Sequence, residues 1–466
     1  MKRFAWRELG PSILVAALSS AFGVSVLQFV GIISQVVAAD DVTGQSGTVG
    51  ALLAIVAIVF IVIAVYVGSI VTSNTFSTII AGRTRSIALL RLIGSSARAQ
   101  RRSVAREGLL VGMIGSAAGA VAGTAITVAT VGMGIAGAVI PPLGYSFASV
   151  DLLLPIVAVV LTTWLASWTG SRRVLVVSPM QAIGAAQEQS RDEIGSSRAR
   201  TATAIVLFSV GTGILLLAVL LGLVTPAAVL IGLVGGLLSF TGLIIGAHLV
   251  MPPVLRIIGR VLGRGAASRL AAENAVRYPE RSSRTTIGLV IGITLVTMFA
   301  VALQGYQNLV LAAQEADPDY YAGIDEAFVM TIVVFAILIG FSAVIAAVGM
   351  VNNLSLSVLQ RTRELGLLRA LGFTARQVRA MITAESAQLT LASVAVGLAL
   401  GTFYGWAGAQ SLLGSISGSP GFILPGMPPL FLAGVVVLAA LLTLGASIAP
   451  SRRATRIAPV LALAHD

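Results

Sequence analysis

Between Pro11 and Ala39 the chain runs for 29 residues without a charge, and stretches of this kind restrict the fold more than anything else in the sequence. A helix rising about 1.5 Å per residue needs about 20 apolar residues to cross the hydrocarbon core of a bilayer. Such runs recur, giving ten candidate spans near residues 12–38, 50–80, 108–132, 152–170, 203–223, 227–250, 286–310, 327–357, 386–408 and 429–449. The two-residue alternation of a membrane β-barrel is absent. The expected fold class is an all-α polytopic membrane protein with about ten transmembrane helices. Composition agrees, because 57% hydrophobic and 10% charged residues lie far from the roughly 45–50% and 25% of soluble domains. The opening MKRFAWRELG leads into a run longer than the roughly 7–15 apolar residues of a secretory signal, so it reads as a retained first span.

Charge sets the orientation. With the N-terminus placed inside, all 30 Lys and Arg fall in segments 1–8, 83–107, 172–200, 256–284, 361–379 and 452–456. Asp40, Asp41, Asp151, Glu315, Asp317, Asp319, Asp325 and Glu326 fall in the opposite connectors without a basic residue. Cationic residues near span ends resist translocation, so both termini are expected in the cytoplasm, with the chain in a bacterial cytoplasmic membrane. For residues 1–8 and 256–264, topology alone accounts for the charge. Nucleic acid is not an expected partner, since the basic residues punctuate spans rather than form one face of a soluble domain.

Two of these basic segments match each other. RTRSIALLRLIGSSARAQRRSVARE (83–107) and RTRELGLLRALGFTARQVRAMITAE (361–385) share 11 of 25 residues at an offset of 278. The same offset pairs Asn74 with Asn352, Ser77 with Ser355, Gly119 with Gly397 and Gly123 with Gly401. An offset of 280 pairs Ser171-Arg172-Arg173 with Ser451-Arg452-Arg453, and Pro179 with Pro459. Spans one to four and seven to ten therefore form two four-helix repeats of parallel orientation, related by an axis along the membrane normal. Spans five and six are a two-helix insert, joined by the short connector Val224-Thr225-Pro226, with Pro226 suited to the first turn of the next helix. The expected division is residues 1–185, 186–255 and 256–466.

Within the matched segments the residues imply helix, break, helix. Leu365, Leu368 and Leu371 extend the preceding span as an amphipathic helix. Gly372 tolerates a left-handed helix end, and Thr374 with Gln377 fits a capping box. Gly94 and Ser96 repeat the break and cap without the Gln. A short helix lying at the cytoplasmic face is expected after each break. Arg91/Arg98 and Arg369/Arg376 are seven residues apart in each copy, suited to an acidic partner. Gly115, Gly119 and Gly123, like Gly397, Gly401 and Gly405, have the small-xxx-small spacing that lets helices approach closely in lipid.

Several chemistries are excluded. The only lysine is Lys2, so no G-x-x-x-x-G-K-[ST] phosphate loop exists. There is no cysteine, and His248 and His465 belong to no ligand cluster. The central thirds of the spans lack Asp, Glu, Lys and Arg, which counts against an ion-coupled carrier with an ionisable midplane site. Glu107 and Glu385, matched acids at the inner ends of equivalent helices, read as a structural brace to nearby arginines, with a substrate role as the alternative.

The run Arg361-Thr362-Arg363-Glu364-Leu365-Gly366-Leu367-Leu368-Arg369-Ala370-Leu371-Gly372, with Asn352, Ser355, Arg376-Gln377 and Glu385, resembles the signature of the FtsX-like permeases of the MacB type, the membrane subunits of type VII ABC transporters. The first copy departs from it at Ser86 and Ala88. Arg269 to Arg284 resembles the amphipathic lead-in to the second unit. The resemblance implies that segments 83–107 and 361–385 are coupling elements for separate ABC ATPase subunits, two copies per chain. Arg83, Arg85, Arg91, Gly94, Arg98, Arg361, Arg363, Glu364, Arg369, Gly372 and Arg376 would carry the coupling. ATP and Mg would sit on those subunits, with no cofactor and no catalytic or metal-binding residue on this chain. Residues 39–49 and 306–326 are too short for the large extracytoplasmic domain of many relatives, which leaves export or extraction of a hydrophobic or amphipathic peptide or lipid. The acidic segment 315–326 would suit a cationic peptide, or is simply a solvated loop. Two other classes remain: an ATPase-linked regulator that does not transport, and a secondary carrier.

Overall fold

A computed structural model describes residues 2–39, 47–82, 94–137, 140–171, 198–261, 279–316, 371–416 and 421–438, with residue 273, most of 331–347 and residues 440–441. The helices in chain order are α1 (Lys2–Ala39), α2 (Gly47–Gly82), α3 (Ala97–Ala136), α4 (Leu153–Gly170), α5 (Arg198–Leu221), α6 (Ala228–Ile245), α7 (Ala247–Val261) and α8 (Pro279–Ala316). They continue with α9 (Thr331–Val344), α10 (Ala375–Leu413) and α11 (Pro429–Leu438). No strand occurs among the described residues. Eight helices are long and apolar enough to cross a membrane: α1 to α6, α8 and α10. The chain is thus a multi-pass, all-helical membrane protein. Helices α9 and α11 are described parts of the expected eighth and tenth spans; most of the rest of those spans, like residues 317–326, lies outside the described residues.

Two sequence expectations change. The run 227–250 is not one helix: α6 stops at Gly246, whose N–H bonds Gly242 O at 2.9 Å, and α7 restarts at Ala247. The reason lies in the residues of α7 itself. That helix is amphipathic, burying Ala247, Met251, Pro252, Leu255 and Gly259 while Arg256 and Arg260 stay exposed, so it cannot continue as a lipid-facing span. Pro226 is not in the first turn of α6 but in the turn before it, where Thr225 N bonds Leu221 O at 3.0 Å and Ala228 N bonds Thr225 O at 3.2 Å.

The two first helices of the expected repeats form the centre. In α1 and α8, 72% and 83% of the most apolar window is buried, against 11% in α2. They meet through aromatic rings: Phe22 on α1 lies 6.2 Å from Phe299 on α8 and 6.0 Å from Phe341 on α9. Phe60 of α2 lies 5.7 Å from Phe299. Around this axis α3 and α4 pack on α1, while α7 and α10 pack on α8. The insert α5–α6 packs on α10, and α6 also touches α2. The outward faces keep large apolar side chains such as Leu110, Val121, Met133, Leu154, Val206 and Leu220, each more than half exposed. In water these would be a liability, whereas in lipid they are solvated.

Lipid supplies no hydrophobic drive between helices, so close approach and hydrogen bonds carry the association. A Cβ built on Gly119 would strike the Ala17 carbonyl oxygen; on Gly115 and Gly123 it would lie 2.9 Å from Ile13 O and 2.7 Å from Ala21 O. The three glycines of α3 therefore ride on successive carbonyls of α1, four residues apart. Ser20 Oγ donates to Ser116 O at 2.9 Å, and Ser25 Oγ to Gly123 O at 3.1 Å, across the same seam. The second pair repeats the device, with Gly401 2.6 Å from Thr294 O and Gly405 2.5 Å from Met298 O by the same construction. Gly397 meets Ile293, 2.7 Å from Cγ2.

Candidate functional site: two capped elbows

The elbows are built by glycine and a hydroxyl. Gly94 and Gly372 have φ of 98° and 97°, a conformation that side chains with a Cβ rarely take. The chain turns there, and two residues later stands the N-cap of a new helix. Ser96 Oγ accepts the Ala99 amide at 3.2 Å. Thr374 Oγ1 accepts the Gln377 amide at 3.2 Å, and Gln377 Oε1 accepts the Thr374 amide at 2.9 Å. The second elbow thus has the reciprocal capping box and the first has only the forward bond, as Gln377 against Ala99 leads one to expect.

The helices opened by these caps differ from expectation. No separate surface helix forms: α3 and α10 run unbroken for 40 and 39 residues. Neither holds a proline, and Gly108, the first glycine after the cap in α3, is packed against α4 rather than at a helix end. At about 1.5 Å per residue such a helix is about 60 Å long, about twice the hydrocarbon thickness. The hydrophilic start of α3, ARAQRRSVARE, thereby stands about 15 Å beyond the span, in rigid continuity with it.

Arg98 and Arg376 occupy the second position of these helices and are exposed. Both present a planar guanidinium, suited to bidentate pairing with carboxylates. Arg83, Arg85, Arg91, Arg361, Arg363, Glu364 and Arg369 lie outside the described residues. Glu107 and Glu385 sit half-buried in α3 and α10.

The sequence reading missed the contact that fixes the first elbow sideways. The Arg101 guanidinium carbon lies 4.5 Å from the centroid of the Trp168 ring, near the end of α4. Below it, a Cβ on Gly108 would strike Ser167 of α4. Arg101 was visible as a matched arginine, but its aromatic partner is 67 residues away in sequence and has no counterpart in the second copy, where the 280 offset places Ile448. Among the described residues no group of three or more His, Cys, Asp or Glu gathers as a metal site.

The sequence profile of the family described as FtsX-like permease C-terminal matches twice, over residues 58–179 and 336–459. Those two matches cover more than half of the chain, and each contains one elbow. A protein named as an uncharacterized ABC transporter permease, YknZ, from Bacillus subtilis (strain 168), is 29% identical over 145 residues, covering 31% of this chain and 34% of that protein. The match thus spans about a third of that relative's length. With the family's domain present twice, each copy holding the same glycine break and capped helix start on an all-helical membrane scaffold, the chain belongs to the FtsX-like permease family.

Proposed function

We propose that this chain is the membrane-spanning subunit of an ABC transporter, and that the two elbows receive the motion of two separate ATPase subunits. Residues 1–185 and 256–466 act as the two permease units, with 186–255 as the linker and insert between them. The observation that carries the reading is the pair of elbows with φ of 98° and 97°, each opening an unbroken helix of about 60 Å. A push on Arg98 or Arg376 travels along α3 or α10 to the glycine seams with α1 and α8, since no break intervenes to absorb it. The chain supplies no phosphate loop, so hydrolysis with ATP and Mg belongs to the partner. The cargo we infer is a hydrophobic or amphipathic peptide or lipid, exported or extracted at the cytoplasmic membrane, with both termini cytoplasmic.

The test is co-purification and ATPase stimulation with the double variant Arg98→Glu/Arg376→Glu. Charge reversal at two exposed positions leaves insertion and folding intact and is expected to abolish ATPase binding or its stimulation. A stoichiometry of two permease chains per complex, or full stimulation in the double variant, refutes the reading.

A further inference from the structure

Between α2, α6, α8 and α10 the protein leaves a half-enclosed cavity of about 120 Å³. Val59 and Ile63 of α2, Val229 and Gly236 of α6, Thr294 of α8 and Gly408 of α10 face it. Leu215 brings in α5, so the insert closes one whole side. Its inner end is stoppered by rings: Phe240 lies 6.4 Å from Tyr66 and 5.9 Å from Tyr404. Both phenols are already satisfied. Tyr66 Oη bonds Leu237 O at 3.1 Å and Thr241 Oγ1 at 2.7 Å, and Tyr404 Oη bonds Ser239 Oγ at 2.9 Å.

Water does not suit this space. About 10–15 Å³ holds one water, but each needs two to four polar partners. Ser411 Oγ bonds its own helix at Ala407 O, 2.7 Å away. Thr294, 3% exposed, carries the one facing hydroxyl without a partner among the described residues. An apolar cavity with a single free hydroxyl takes hydrocarbon.

The glycines of the wall distinguish this space from a packing defect. A Cβ on Gly232 would lie 3.2 Å from Ala218 Cβ, so that glycine serves the α5–α6 contact. On Gly236 and Gly408 a Cβ meets nothing within 4 Å. These two keep room open rather than bringing helices together. The lining extends from Val59 to Val67 on α2 and from Val229 to Phe240 on α6, which at about 1.5 Å per residue is roughly 12–16 Å. That is about half of the roughly 30 Å hydrocarbon core, the depth of one leaflet. Val229 adjoins the α5–α6 turn, which fixes the leaflet as the one on that side.

We infer that this cavity is a binding site for one acyl chain of a phospholipid from the leaflet on the side of the α5–α6 turn. The inference rests on the membrane-spanning fold and not on transport. It gives the insert a function: α5 and α6 form the wall that turns a cleft between the two permease units into a lipid site.

The test uses the full chain alone in lipid nanodiscs, without any ATPase, so that failure of the transporter reading does not affect it. The probe is phosphatidylglycerol carrying a diazirine at mid-chain, added in trace amount and photolysed, with labelled peptides identified by mass spectrometry. Labelling is expected to saturate with probe and to concentrate on residues 59–67 and 229–240. Gly236→Leu and Gly408→Leu, from opposite walls, each reduce it severalfold. Gly213→Leu, where a Cβ also meets nothing within 4 Å but which lies outside the cavity, leaves it unchanged. Labelling that rises linearly with probe and spreads over the lipid-facing surfaces of all helices overturns the proposal. So does undiminished labelling in both leucine variants.

Discussion

Replacing Gly119 with alanine tests the central packing claim, because what a new Cβ meets there is backbone. It would collide with the Ala17 carbonyl oxygen and lie 2.8 Å from Ser20 Cβ. Restoring the second contact alone to an ordinary 3.4 Å parts α3 from α1 by about 0.6 Å. The same parting loosens the Gly115 and Gly123 contacts and stretches the Ser20–Ser116 and Ser25–Gly123 hydrogen bonds. Overpacking of this kind costs about 1–3 kcal/mol, and a rigid carbonyl puts Gly119 in the upper half of that range. Alanine returns about 1 kcal/mol of helix propensity, leaving a net loss of about 1–2 kcal/mol. Gly132, on the same helix, has nothing within 4 Å of its Cβ position. Gly132→Ala is therefore neutral or stabilising by up to about 1 kcal/mol, and the two variants differ by about 1–3 kcal/mol. Equilibrium denaturant titration in mixed micelles, followed by the fluorescence of the four tryptophans, reads the difference. Equal midpoints for Gly119→Ala and Gly132→Ala refute the carbonyl-seam account.

Thr374→Ala removes the hydroxyl that bonds both the Gln377 amide and Gln377 Oε1, and costs about 1 kcal/mol locally; Ser96→Ala removes one bond and costs less. Amide hydrogen exchange over residues 375–378 is expected to accelerate more than over 97–100, and equal acceleration contradicts the difference between the caps. Gly108→Ala drives its Cβ into the Ser167 side chain and destabilises the α3–α4 contact by about 1–3 kcal/mol. Ser167→Gly in the same chain relieves it, so a double-mutant cycle shows a large coupling, and strict additivity refutes the assigned contact.

Much of this was readable because membrane helices announce themselves through length and charge. Pro11 to Ala39 needed only its lack of charge, and Gly372, Thr374 and Gln377 state their roles by residue type, since few other side chains suit a positive φ or accept an N-terminal amide. The six glycines of the α3 and α10 stripes were visible as spacing, but their partners were not. Nothing local in Ile13, Ala17 or Ala21 marks a carbonyl as a landing site. The break at Gly246 was hidden because hydropathy averages α6 into the start of α7, although the phase of Met251 and Leu255 against Arg256 and Arg260 carries it. The expected surface helix after each elbow failed because a cap states where a helix begins and is silent on where it stops. The Tyr66 and Tyr404 hydroxyl bonds join residues 171 and 165 apart, beyond the reach of any periodicity.

Those two tyrosines also set an order of birth. The chain emerges from the ribosome N-terminus first, and early segments fold before later ones exist. Tyr66 enters the bilayer with α2, and the partners its phenol has in the folded protein, Leu237 and Thr241, arrive only with α6. Ser239 arrives on the same helix with Thr212 Oγ1 of α5 already present as a partner at 3.0 Å, and its second partner, Tyr404, follows after another 165 residues. Each half of the molecule thus completes the polar bonding of what was synthesised before it, and the hairpin made in between serves as the template on which the last helices are received.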